Sequence, residues 1–116
     1  TRSFAVLMTD HDGRRGLGSV HWVAYGIPAT RRNLKSGEGA ATGDLVAGRN
    51  SRGSAGYTGP CGPPRDAPHH YVIEVIALDL APGALSPGLD RDGLLRAIAG
   101  HSLGSASLVA RYRRVP

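Results

Sequence analysis

Three groups of side chains in this sequence have the types and spacing to do chemistry. Asp10 and Asp12 stand two apart, where the apolar run Ser3–Asp10 turns polar. His21 opens a second apolar run beside Trp22. His69-His70-Tyr71 opens a third, behind the stiff segment Pro60-Cys61-Gly62-Pro63-Pro64. Imidazoles supply N–H donors and take a positive charge near neutral pH, a tyrosine supplies a hydroxyl, and glycine-rich turns expose backbone N–H groups. Together they fit a small anion such as phosphate, held by charge-assisted hydrogen bonds of about 1.5–3 kcal/mol each. The aspartates would orient the imidazoles or receive an ammonium group. Each group also has a structural reading: Asp10 and Asp12 as turn formers, His21 as a satisfied core histidine on an apolar strand face. His101 follows Leu94, Ala97 and Ile98 at helical spacing, which assigns it to structure, on a buried helix face or at a helix C-terminus. Cys61 reads as a buried thiol, because the sequence places no activating base beside it.

Other chemistries are served less well. There is no H-E-x-x-H motif and no second cysteine, and adjacent His69 and His70 on a strand would point to opposite faces. Neither a metal nor another cofactor is expected. No G-x-S-x-G elbow follows a strand, so a small hydrolase built on the His/Asp pocket is the weakest alternative. The net charge of +5 is uneven: residues 1–65 carry nine Lys/Arg against four acids, whereas residues 66–116 carry five of each. A basic half suits an anionic ligand or partner. Nucleic acid is not expected, because aromatics are not interleaved with the arginines and no recognition-helix or RNA-binding signature occurs.

These residues need a scaffold, and 116 residues make one domain, 1–116. Seventeen glycines, eight prolines and 5% aromatics favour strands joined by ordered turns over a helical bundle. No apolar run approaches the ~20 residues of a membrane span. The single cysteine excludes an internal disulfide, and with no apolar leader a cytoplasmic location is expected. Ser3–Asp10 reads as a buried strand and Val20–Ile27 as a second, stopped by Pro28. Simple alternation puts His21, Val23, Tyr25 and Ile27 on one face and Val20, Trp22 and Ala24 on the other. Residues 29–67 lack periodicity and read as ordered loops anchored at Leu34, Leu45-Val46 and Tyr57. Tyr71–Asp79, β-branched and apolar on both faces, is expected to be central and to neighbour Val20–Ile27. Asp90–Gly100 is the one clear helix, with Asp90 as N-cap and Gly100 as its end. Ser107–Tyr112 is a last strand.

At these positions the sequence resembles the phosphatidylethanolamine-binding protein family, most closely its bacterial YbhB/YbcL-like, Raf-kinase-inhibitor-like branch. Asp10-His11-Asp12 corresponds to the family's Asp-Pro-Asp after an apolar strand. His21-Trp22 with Gly26-Ile27-Pro28-Ala29, Gly56–Pro64, His69-His70-Tyr71 with Ala77-Leu78-Asp79, and Gly100-His101-Ser102-Leu103 with Ala106–Tyr112 match four further motifs in order. The resemblance implies a mainly β, antiparallel β-sandwich with one principal helix and long ordered loops. It implies an anion pocket of Asp10, Asp12, His21, Gly62, Pro63, His69 and Tyr71. It also implies non-enzymatic binding of phosphate-bearing small molecules or phospholipid head groups, with inhibition of a kinase or protease through the pocket rim as the alternative. His11 in place of the family's proline and Gly62 in place of the bacterial proline are departures. The family's segment ahead of Ser3 is absent, which reads as truncation or processing. A homodimer is one way to cover the sheet edge this would open.

Overall fold

The computed structural model describes residues 1–12, 18–31, 45–51, 53 and 69–112. They form a five-stranded antiparallel sheet and one helix. The strands are β1 (Ser3–Asp10), β2 (Ser19–Pro28), β3 (Val46–Ala47), β4 (His69–Leu78) and β5 (Ser102–Tyr112), and the helix α1 is Arg91–Ala97. The spatial order is β3-β2-β1-β4-β5. The expected mainly β architecture with one principal helix is therefore present. The anchors Leu34 and Tyr57 and the segment Pro60–Pro64 lie outside the described residues. Leu45 is buried as expected, and Val46 supplies part of the short edge strand β3.

Two expectations about strand order are corrected. The strands at 20–27 and 71–79 are not neighbours, because β1 lies between them and pairs with both. The middle of the sheet is thus β1, whose five consecutive apolar residues Phe4, Ala5, Val6, Leu7 and Met8 are suited to burial on both faces. β4 is interior but less enclosed, with Val75 39% exposed. The last strand also begins earlier than expected, at Ser102 rather than Ser107.

Two apolar clusters cover the two faces. On one, Ala5 and Leu7 of β1, Val23 and Tyr25 of β2, and Ile76 and Leu78 of β4 meet Leu94 of α1 and Ile98 just beyond it. On the other, Val6, Ala24, Ile27 and Leu45 are buried together, with Phe4, Trp22 and Ile73 against them. Asp90 caps α1 as expected, its side chain accepting from the Gly93 N–H at 2.7 Å. The helix ends at Ala97, and the chain turns through Gly100 at φ +84°, a conformation that favours glycine. Tyr25 fastens the connection over this face: its hydroxyl donates to the Ser86 carbonyl at 2.6 Å and accepts from the Leu89 N–H at 3.2 Å. Of the two places expected for His101, the structure shows the helix C-terminus and not the buried helix face. It lies in the turn after α1, its N–H donates to the Ile98 carbonyl, and its imidazole meets the Asp79 carboxylate at 2.8 Å, half-exposed. No helix among the described residues is long and apolar enough to cross a membrane.

Candidate functional site

The candidate site lies where β1 ends, β2 begins and β4 begins. Its geometry depends on irregularities in β2. Phe4 pairs with Ile27 but Val6 with Ala24, and Met8 pairs with Trp22 but Thr9 with Val20, so β2 carries two one-residue bulges against β1. In the first lies Gly26, at φ +68°, where a Cβ would stand 2.7 Å from the Pro82 carbonyl oxygen. In the second, His21 has no partner on β1. The extra residue breaks the alternation, and this corrects the expected facing of His21. Its ring does not join Val23 and Tyr25 under α1 but meets the Tyr71 ring edge-on, centroids 5.3 Å apart at 82°. Tyr71 is the cross-strand partner of Asp10, so His21, Tyr71 and Asp10 occupy one face, that of Val6 and Trp22. The bulge brings His21 to the site that the family resemblance implies, by a route alternation misses.

Asp10 is the organising group. It is 4% exposed, and both carboxylate oxygens are engaged: Oδ1 accepts from the Asp12 N–H at 3.0 Å and Oδ2 meets His69 Nδ1 at 2.7 Å. An ionised carboxylate only accepts, so His69 carries its proton on Nδ1 and presents Nε2 on the far side of the ring. Asp12 forms a second, outer pair. Its Oδ2 accepts from the His70 backbone N–H at 2.6 Å and meets His70 Nδ1 at 2.9 Å. The His70 backbone N–H, followed by the His70 imidazole, holds the Asp12 carboxyl below its ordinary value of 3.8. The adjacent histidines thus take one aspartate each, His69 largely buried and His70 half-exposed. Sequence reasoning omitted His70 from the site. The signal was the match of Asp-x-Asp to His-His across two strand ends that pair directly.

Of the expected site residues, Asp10, Asp12, His21, His69 and Tyr71 are brought to one end of the sheet. Gly62 and Pro63 lie outside the described residues. A family model for phosphatidylethanolamine-binding protein matches residues 1–113. The chain belongs to that family. A UPF0098 protein of Pyrococcus horikoshii is 35% identical over 97% of this chain and 58% of its own length; one of Pyrococcus abyssi is 34% identical over 97% and 65%. The chain therefore spans less than two thirds of the length of these relatives. The YbcL protein of Escherichia coli is 43% identical over 67% of this chain and 45% of its own length. Its crystal structure, described as a member of the mammalian PEBP family, matches with a TM-score of 0.79 at 30% identity, covering 98% of this chain and 73% of that one. A PEBP homologue of Chlamydia trachomatis matches with a TM-score of 0.84 at 30% identity, over 97% and 72%. The chain is YbhB/YbcL-like within the family. In this setting one departure from the family's Asp-Pro-Asp has a visible result: His11 has the backbone N–H that proline lacks, and it donates to the His70 carbonyl at 3.3 Å.

Proposed function

We propose that this chain binds phosphate-bearing small molecules or phospholipid head groups, without turning them over, at the end of the sheet formed by Asp10, Asp12, His21, His69 and Tyr71. Gly62 and Pro63, which lie outside the described residues, belong to this reading through the family resemblance alone. The observation that carries it is the 2.7 Å pair between buried Asp10 and His69. Carboxylates beside an anion pocket would ordinarily repel the ligand. Here both Asp10 oxygens are occupied by donors, so Asp10 fixes the orientation of the His69 imidazole. When His69 is protonated, Nε2–H becomes a charge-assisted donor to a phosphoryl oxygen. The T-shaped packing of His21 on Tyr71 sets a second imidazole at the same end. The inhibitor alternative would act through the rim of this same pocket on a kinase or protease.

Calorimetric titration with phosphoethanolamine tests the reading, with sulfate as an anion whose own charge does not change near neutral pH. Affinity for both should rise about tenfold from pH 8 to pH 6, across the range in which a reference imidazole (~6.5) takes up its proton. An affinity that does not change with pH contradicts the histidine-based pocket. Turnover of a panel of phosphate and carboxylic esters, abolished by His21→Ala, would replace binding with hydrolysis.

A further inference from the structure

The turn that carries Asp12 is docked on a single residue of β4. His70 is the second residue of that strand and lies in register opposite Arg111 of β5. Its carbonyl accepts from the His11 N–H at 3.3 Å, and its own N–H donates to Asp12 Oδ2 at 2.6 Å. Its imidazole Nδ1 meets the same oxygen at 2.9 Å. Both donors of His70 thus converge on one carboxylate oxygen. The other, Oδ1, makes no hydrogen bond among the described residues, on a side chain 45% exposed. Asp12 lies past the last residue of β1, beyond the strand ladder, and its own N–H is taken by Asp10 Oδ1. Its backbone is therefore held by Asp10 and its side chain by His70. A proline at position 11 would fix this turn by its ring and could not donate; with His11 the turn is fastened through His70 instead.

We infer that His70 is a positioning residue for the site proposed above: by holding Asp12 Oδ2 it leaves Oδ1 to accept the ammonium group of a phosphate-bearing ligand, and so makes the site prefer such a ligand over a phosphate ester without one. The inference rests on that binding reading. An unrestrained aspartate samples several side-chain rotamers, and a loose carboxylate beside an anion repels it. Two donors on one oxygen select a single rotamer and offset part of the negative charge on that side. The remaining oxygen is a fixed acceptor that suits a cation and not a phosphoryl group. The two His70 contacts also hold the Asp12 carboxyl below its ordinary 3.8, which keeps it ionised at neutral pH. His70 itself touches no ligand in this assignment and acts through Asp12. Because the pair is half-exposed, at 52% and 45%, the preference it creates is modest, about three- to fivefold.

Titration calorimetry at pH 7 on the 116-residue chain compares phosphoethanolamine with ethyl phosphate, which keeps the phosphoryl group and lacks the ammonium. The chain should bind phosphoethanolamine about three- to fivefold more tightly. His70→Ala should remove most of that preference while leaving the ethyl phosphate affinity within about twofold. His70→Asn, which keeps a side-chain N–H donor close to the position of Nδ1, should restore most of it. Asp12→Asn should abolish the preference, and adding His70→Ala to it should cost nothing further. Equal binding of the two ligands by the wild-type chain overturns the inference and leaves phosphate binding standing. So does a preference that survives His70→Ala, no recovery in His70→Asn, or a second, additive loss in the double variant. Binding of neither ligand overturns the reading beneath it, and the inference with it. Nuclear magnetic resonance of the wild-type chain needs no variant: the Asp12 and His70 amide signals should shift more with phosphoethanolamine than with ethyl phosphate, and equal shifts overturn the assignment as well.

Discussion

Two histidine–aspartate pairs stand at opposite ends of β4. His69 and Asp10 are 2.7 Å apart at its start; His101 and Asp79 are 2.8 Å apart just past its end. In side chains and distance they are near copies. In surroundings they are not: the first pair is 14% and 5% exposed, the second 45% and 47%. Water competes for every donor and acceptor of the second pair, so it ties a turn and little more. The first is held away from water at the junction of three strands, and there an unmade hydrogen bond is expensive. The same two residue types form a surface latch at one end and a buried, oriented pair at the other, and burial makes the difference.

The largest effect should come from breaking the buried pair. Asp10→Ala removes the partner of both His69 Nδ1 and the Asp12 N–H, and should destabilise the fold by about 2–3 kcal/mol. Asp79→Ala should cost about 1 kcal/mol or less. Urea denaturation of the two variants makes the comparison, and equal losses would show that burial does not separate the pairs.

A second contrast sharpens the functional side of the comparison. His69→Ala should lower phosphoethanolamine affinity at pH 6 about tenfold, the value of one charge-assisted hydrogen bond. His21→Ala should weaken binding as well, through loss of the ring that packs on Tyr71. His101→Ala should leave the affinity within about twofold while lowering the melting temperature slightly. Comparable losses of affinity at 69 and 101 would detach binding from the Asp10 end of the sheet.

The first strand, the cap at Asp90 and the β-branched run at 71–78 were legible in the sequence because each rests on local pattern, and that Asp10, Asp12, His21, His69 and Tyr71 gather at one end of the sheet was legible from an ordered set of motifs. Three features were not. Strand order is a long-range property: the reasoning that made 71–79 central applied more strongly to Phe4–Met8, and nothing local says which of two apolar strands takes the middle. The bulge at His21 inserts a single residue, and a sequence read at period two cannot show where the partner strand skips. Only the pairing of Met8 with Trp22 and Thr9 with Val20 reveals it. The pairing of His70 with Asp12 depends on two chain segments meeting end to end, and a rule that adjacent strand residues face apart hides it.

The smallest expected effect concerns the outer pair and tests whether the comparison is graded rather than all-or-none. Asp12 accepts the same kinds of bond as Asp10, from a backbone N–H and an imidazole, but at the surface. The His70 backbone N–H and imidazole hold its carboxyl below the ordinary 3.8. A carboxyl whose pKa is depressed by folding stabilises the native state fully at pH values above the unfolded pKa, and this contribution fades as pH falls through the folded pKa. Wild-type stability should therefore decline below about pH 4, the ordinary carboxylate range. Asp12→Asn keeps an acceptor oxygen but loses the charge, so it should be slightly less stable at pH 7 and should lose less on acidification. Because Asp12 is open to water, the gap should be small and should shrink further in high salt. Denaturation midpoints for the two proteins, measured from pH 7 down to pH 3, decide it. Curves that stay parallel across that range would mean that the outer pair carries no pH-linked stability, and that binding of the His70 donors by Asp12 matters for geometry alone.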